Sequence, residues 1–202
     1  GSDFTIEFWL YPTNLTTTFQ TILYQAQGDP TLATSGGECI LISIRSDIFW
    51  LTFSNCTMQV NTNLTIYHNK WTHFAITFNN KNNGLTSNAG NIYINSIEQT
   101  LGFQAYNDDS IVNGTTAYGK MFIGRATDAN PQWLSSQLKH LRIYNDIRTQ
   151  SEITQAITDN GDGTFQPKIS NYSTTLNDNL NLYVPLNYND KNIYNNNINF
   201  KD

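Results

Sequence analysis

Apolar residues recur at every second position along short stretches of this chain, and a period of two belongs to half-buried strands. In Thr5–Leu10, Ile6, Phe8 and Leu10 share one face while Thr5, Glu7 and Trp9 share the other. Thr72–Phe78 repeats the pattern, with Phe74, Ile76 and Phe78 opposed to His73, Ala75 and Thr77. Thr21–Gln25, Cys39–Arg45, Ile48–Ser54, Asn91–Asn95, Ile97–Leu101, Lys120–Gly124, Leu138–Tyr144 and Leu180–Leu186 read as further strands. Polar, turn-forming residues separate them, most clearly in Asn79–Asn88 and in the long stretch Gly102–Gly119. Strands that alternate are covered on one face only, which excludes a parallel sheet buried on both. The expectation is an all-β, two-sheet antiparallel sandwich with one short helix.

That helix is marked by Thr149-Gln-Ser-Glu152, a capping box, with Ile153 and Ile157 following on one face. It should run about three turns and plug one end of the sandwich. Pro185 lacks an N–H, so Leu180–Leu186 belongs at a sheet edge or strand end. Leu182 and Val184 need a core to dock on, which assigns this strand to the same domain and not to a following one. No linker interrupts the chain from Asp3 to Thr158. One sandwich is therefore expected over residues 3–186, followed by an Asn-rich segment over 187–202.

Composition narrows the function classes. Charged residues make up 13% of the chain, against about 25% in an ordinary soluble domain. The net charge of −5 leaves no basic footprint for nucleic acid. No apolar run approaches the roughly 20 residues of a membrane span, so no direct membrane insertion is expected. Asn (28 residues) and Thr (25 residues) fill the polar surface, in part explicable by codon bias. Glycosylation triplets begin at Asn14, Asn55, Asn63, Asn113 and Asn171, and they gain meaning beside evidence for secretion.

The two cysteines bear on that question. If Cys39–Arg45 and Ile48–Ser54 form a hairpin around Ser46-Asp47, Arg45 faces Ile48 and Cys39 faces Ser54. Cys56 then points to the same side as Cys39, and a bulge or small shift would bring the pair within disulfide range. Two separate buried thiols are the alternative. A Cys39–Cys56 disulfide, hence an oxidising compartment, is the expectation. Gly1-Ser2 resembles a cloning remnant, so flanking domains of a longer parent chain are expected too.

Catalysis finds little support. The four glutamates (Glu7, Glu38, Glu98 and Glu152) have no carboxylate at i+2 or i+4, as a glycosidase pair on one strand face requires. Asp108 and Asp109 are adjacent and would point apart in an extended chain. No Gly-x-Ser-x-Gly elbow is present, and His68, His73 and His140 show neither triad nor metal spacing.

Five segments in order resemble the laminin-G-like, concanavalin-A-like lectin–glucanase jelly-roll domains. Phe4-Thr-Ile-Glu-Phe-Trp-Leu-Tyr-Pro12 resembles the family's opening F-T-[IV]-x-x-W-[IV]-x-P, and Trp71-Thr-His-Phe-Ala75 its W-x-H-hydrophobic-A strand. Ile92-Tyr-Ile-Asn95 stands where the family has [LI]-Y-[VI]-[DN]-G, with Ser96 in place of the glycine. Met121-Phe-Ile-Gly-Arg125 and Leu138–Tyr144, continued by Asn145, Ile147 and Glu152, are similar to its last two motifs. The resemblance implies the jelly-roll sandwich but only a class of function, since the fold serves lectins, adhesion modules and glycosidases alike.

Within that class the residues point to recognition. Trp9, Trp50 and Tyr144 lie on faces opposite the expected core, where sugar rings can stack; packing against loops or the C-terminal segment is the competing explanation. Trp71 reads as core. Trp133, after Asp128, Asn130 and Pro131, is the tryptophan expected to be most exposed, in a rim loop. The resemblance also implies calcium at the rim, with Asp128 and Asn130, joined by Asp108 or Asp109, as its oxygen ligands here. Asp159-Asn-Gly-Asp-Gly163 resembles a calcium-loop start but lacks the distal Glu and reads better as a turn. The expectation is a non-catalytic extracellular or cell-surface module that binds glycan or extracellular protein. A structural spacer of an adhesin or coat is the alternative.

Overall fold

The period-two segments become the strands of two six-stranded antiparallel sheets in the computed structural model. The structure describes residues 3–13, 15, 19–27, 39–53, 56–78, 90–106, 118–126, 132–167, 179–184 and 186. The first sheet contains β1 (Phe4–Pro12), β6 (Thr72–Phe78), β7 (Gly90–Ile94), β8 (Ile97–Glu98), β11 (Ser136–Tyr144) and β14 (Leu180–Val184). Their order is β14-β11-β1-β6-β7-β8. The second contains β2 (Gln20–Gln27), β3 (Cys39–Arg45), β4 (Ile48–Phe53), β5 (Cys56–Val60), β9 (Leu101–Tyr106) and β10 (Tyr118–Ile123), in the order β10-β2-β3-β4-β5-β9. A small hairpin, β12 (Ile157–Asp159) and β13 (Phe165–Pro167), completes the strands.

The core lies between the two sheets and uses the residues that alternation assigns to it. Ile6, Phe8 and Leu10 from β1 and Phe74 and Ile76 from β6 meet Ile42, Ile44, Phe49, Leu51, Met58 and Val60 from the second sheet. Phe74 stacks on Phe8 in its own sheet, with centroids 5.5 Å apart, and on Phe49 of the opposite sheet at 4.9 Å. The hairpin β3–β4 has the expected register, Arg45 facing Ile48. Its turn residues Ser46 and Asp47 both have positive φ (48° and 66°), as a two-residue hairpin with the sheet's twist requires. Asn95 and Ser96 do the same between β7 and β8, so the turn forms there without a glycine.

Four features differ from the sequence expectation. Cys56 does not continue β4 but opens β5, after a reversal. Ile97–Leu101 is not one strand: Ile97–Glu98 ends the first sheet, and the chain then crosses to the second sheet as β9. The expected loop 102–119 thus begins with strand, held by Leu101 against the core and by the Asn61 N–H donating to the Thr100 carbonyl (3.0 Å). The helix α1 (Gln150–Thr154) has its capping box but only five residues. It lies on the outer face of the first sheet, where Ile153 packs with Ala75 and Tyr93, and does not plug an end of the sandwich.

β14 pairs with β11 at the edge of the first sheet, as Pro185 suggested. The attachment involves a bulge: the β1–β11 register shifts between Glu7 and Trp9, and His140 on the bulged strand has φ of 52°. Its Nδ1 is 2.7 Å from the Tyr183 hydroxyl, and the two rings are parallel. Burial, then the Arg142 and Lys139 charges, lower the His140 pKa to about 4. Because the folded pKa lies below that of the unfolded chain, acid protonates the unfolded state first. Stability is therefore complete above pH 6.5 and declines as pH falls toward 4, by about 1–2 kcal/mol after allowance for solvent screening. Urea midpoints of wild type and His140→Asn at pH 7 and 4.5 check this; Asn tolerates the backbone conformation. The variant should lose less stability on acidification, and identical pH profiles would exclude His140 as the cause.

Candidate ligand-binding face

The outer faces of the two sheets are built differently. On the first, the side chains opposite the core are Thr5, Glu7 and Trp9 of β1, His73 and Ala75 of β6, and Arg142 and Tyr144 of β11. All are buried, Trp9 and Tyr144 at 0% exposure. The segment after β11 covers them: the Thr5 hydroxyl donates to the Asp146 carbonyl (2.7 Å), and the Arg148 N–H donates to the Thr5 hydroxyl oxygen (2.9 Å).

Glu7 is the electrostatic centre of this layer. Arg148 Nε lies 3.5 Å from its Oε1, while His73 Nε2 and Arg142 Nη1 lie 3.6 and 3.9 Å from Oε2. Arg148 also sits over the Tyr144 ring, at 4.2 Å. Burial, then the Glu7 charge, push the Tyr144 hydroxyl pKa well above its ordinary range. Trp9 and Tyr144 consequently cannot offer a ring to a sugar, which corrects the expectation for both. Trp71 is corrected in the other direction. It stands outside the core cluster, half-buried, against Tyr11 (5.4 Å) and beneath the Lys139 ammonium (3.6 Å).

The second sheet presents half-exposed aromatic and polar side chains on its outer face. Register places Phe122, Tyr24, Leu41, Thr52 and Thr57 in one row across β10, β2, β3, β4 and β5. Thr21, Ser43, Trp50 and Gln59 form the next row. Phe122, Tyr24, Trp50 and Gln59 are all partly open to solvent. Arg45 adjoins the second row, its guanidinium carbon 4.4 Å from the Phe19 ring centroid and 5.1 Å from that of Trp50. At the β10 edge Arg125 lies 4.7 Å from Phe122 and 5.7 Å from Trp133, which is 61% exposed. Trp133 is thus exposed, as expected, and Trp50 is half-exposed.

Arginine, threonine and serine positions on this face were missed by sequence reasoning, although the hairpin pattern contains part of the signal. In the expected register Ser43, Arg45 and Trp50 already share a side. Tyr24, Phe122 and Arg125 required the order of the strands.

The remaining site expectations divide between described and undescribed residues. Asp108, Asp109, Asp128 and Asn130, the candidate calcium ligands, lie outside the described residues, as do Asn14, Asn55, Asn113 and Asn171. Asn63 is exposed and accepts the Thr65 N–H on its Oδ1 (2.8 Å). Among the described residues no three His, Cys, Asp or Glu side chains gather as a metal site. In the loop 159–163, Asp159 accepts the Gly161 N–H and Asp162 the Thr164 N–H, so both carboxylates serve the turn. Cys39 and Cys56 open β3 and β5, and β4 runs between these strands. Two strand spacings of about 4.8 Å separate such positions, so the hairpin register by itself does not bring the pair together.

A family model described as the concanavalin A-like lectin/glucanases superfamily matches residues 1–154. The chain belongs to that superfamily. Solved structures share its fold at low identity. One is a "putative carbohydrate binding protein" from Bacteroides ovatus, 16% identical with a TM-score of 0.58. That likeness covers 91% of this chain and 45% of the Bacteroides protein, so the chain spans less than half of that relative. The CBM40 of the Ruminococcus gnavus IT-sialidase, bound to α2,3-sialyllactose, is 11% identical with a TM-score of 0.51, over 76% of this chain and 82% of that one. The NanB sialidase of Streptococcus pneumoniae is 12% identical with a TM-score of 0.55, over 77% of this chain and 24% of the sialidase. No curated protein sequence matches.

Proposed function

We propose that this superfamily member is a non-catalytic recognition module of a longer extracellular or cell-surface protein, and that it binds glycan on the outer face of its second sheet. The asymmetry between the two outer faces carries this reading. One is sealed by the segment after β11, whereas the other shows Tyr24, Trp50 and Phe122 half-exposed beside polar Thr52, Thr57 and Gln59. Flat apolar rings next to hydrogen-bonding groups suit a sugar, whose C–H faces stack while its hydroxyls pair. Two of the fold's neighbours are a carbohydrate-binding domain and a protein described as one, which supports a glycan as ligand.

Arrayed glycans probed with wild type and Trp50→Ala test the proposal. Wild type should bind a restricted set, and Trp50→Ala should weaken that binding by about tenfold or more, as for a buried aromatic anchor. Glycan binding that survives Trp50→Ala and Phe122→Ala intact would overturn the assignment of this face. Binding to no glycan at all would favour the spacer role. The same array run with and without calcium tests the proposed rim ion.

A further inference from the structure

Trp133 is 61% exposed, yet the chain on either side of it is pinned. The Thr21 N–H donates to the Gln132 carbonyl (3.1 Å), the Leu134 N–H to the Gly124 carbonyl (2.9 Å) and the Ser135 N–H to Gln20 Oε1 (2.9 Å). Leu134 packs on the core between the sheets, and the neighbouring indole is left outside. A single exposed tryptophan would need no explanation, but this one is not alone. Gly124, with φ of 77°, turns the chain at the end of β10. Arg125 follows, its guanidinium carbon 4.7 Å from the Phe122 ring centroid and 5.7 Å from that of Trp133. Phe122 in turn lies 6.4 Å from Tyr24. The rings therefore continue from the outer face of the second sheet to Trp133, beside its β10 edge.

The open surface also continues across the sheet. Thr21 and Ser43 are buried, but every member of the row Phe122, Tyr24, Leu41, Thr52 and Thr57 is partly open to solvent. These residues are direct neighbours across five successive strands. Four strand spacings of about 4.8 Å make the row roughly 19 Å long, before Trp133 is added. Apolar side chains fill the half next to Trp133. Threonine hydroxyls fill the other half, flanked by Trp50 and Gln59 in the adjoining row. A sugar ring is about one strand spacing in length, ~5 Å, so a single sugar covers only a fraction of this row.

We propose that the row is the track of a linear oligosaccharide of about four units or more, laid across the strands with its end sugar on Trp133. This rests on the reading of the face as a glycan site and adds the class of glycan, an extended chain and not a lone terminal sugar. A ring whose backbone is fixed before the ligand arrives loses little freedom on binding, which suits Trp133 to hold one end. Phe122 and Tyr24 offer rings to further units, and the Thr52 and Thr57 hydroxyls can pair with sugar hydroxyls at the other end.

Calorimetric titration of the full chain with cello-, xylo- and chito-oligosaccharides, each from monosaccharide to tetrasaccharide, tests it, because equatorial linkages hold these chains extended. At least one series should bind, its tetrasaccharide at least about tenfold more tightly than its disaccharide. Trp133→Ala should abolish most of that gain, and Trp133→Phe, which keeps a ring, should retain most of it. The side chain is exposed, so both variants should melt with the wild type. In wild type the Trp133 indole N–H resonance should shift with the tetrasaccharide, a readout that needs no variant. Equal affinity along every series, no binding in any of the three, or a length gain that survives Trp133→Ala would overturn the track. Glycan-array binding that still depends on Trp50 would then leave the broader reading standing, so the two failures are distinct.

Discussion

Replacing Glu7 with glutamine should destabilise the domain by about 3–5 kcal/mol, the effect of removing one partner from a buried ionic cluster. The carboxylate is wholly buried, with Arg148, His73 and Arg142 nitrogens 3.5–3.9 Å away. Glutamine keeps the shape but not the charge, so two buried arginines lose the carboxylate they pair with. The damage should begin where the cluster holds the covering segment. Arg148 is drawn inward by Glu7 at its side chain and by Thr5 at its backbone N–H, so the stretch 145–157 should loosen first. Urea unfolding gives the global effect, and limited proteolysis locates it. A midpoint within error of wild type would show that the cluster contributes nothing net.

Phe49→Ala should cost a comparable amount, roughly 3–5 kcal/mol, by a different mechanism. Phe49 has no exposure and its ring stacks on Phe74 of the opposite sheet at 4.9 Å, with Phe8 at 6.3 Å. Truncation leaves a hole at the contact between sheets, and rings held on extended strands cannot collapse to fill it. Phe49→Leu should recover much of the loss because it restores volume. Equal urea midpoints for wild type and Phe49→Ala would mean that the three-ring stack is not a principal contact of the core.

These two sites also show how far the sequence could be read. Alternation alone puts Phe8 and Phe74 on the core face, and Phe49 follows because its neighbour Trp50 reads as facing outward; all three lie in the interior. Glu7 and Trp9 were separated from them equally well, onto the other face of β1. What that face meets was not legible. A polar residue such as Glu7 next to Thr5 reads as solvent-facing, and Arg148, which neutralises it, lies 141 residues away along the chain. Trp9 and Tyr144 therefore read as ligand-stacking rings, although both are wholly buried, Trp9 beside His73 and Tyr144 beneath Arg148.

The outer face of the second sheet divides in the same way. The side shared by Ser43, Arg45 and Trp50 follows from one local hairpin, because a two-residue turn fixes register and register fixes which side chains align. Its extension to Thr21, Tyr24, Phe122 and Arg125 depends on β2 lying beside β3 and β10 beside β2. Strand order arises from the packing of two whole sheets. Neighbouring residues cannot encode it in a form that a local pattern reveals.

The sequence by itself therefore determined most strands of the two sheets, the faces of those strands, the capped helix start and the edge position of β14. It did not determine β5, the division between β8 and β9, or the β12–β13 hairpin. What it did determine depends on interactions between residues close in the chain or on the chemistry of a single side chain. Only the tertiary structure decided which side chains of the outer faces are buried and which arginines pair with Glu7. Those outcomes come from burial and charge pairing between segments far apart in sequence, whose energies exist only once the sheets have assembled.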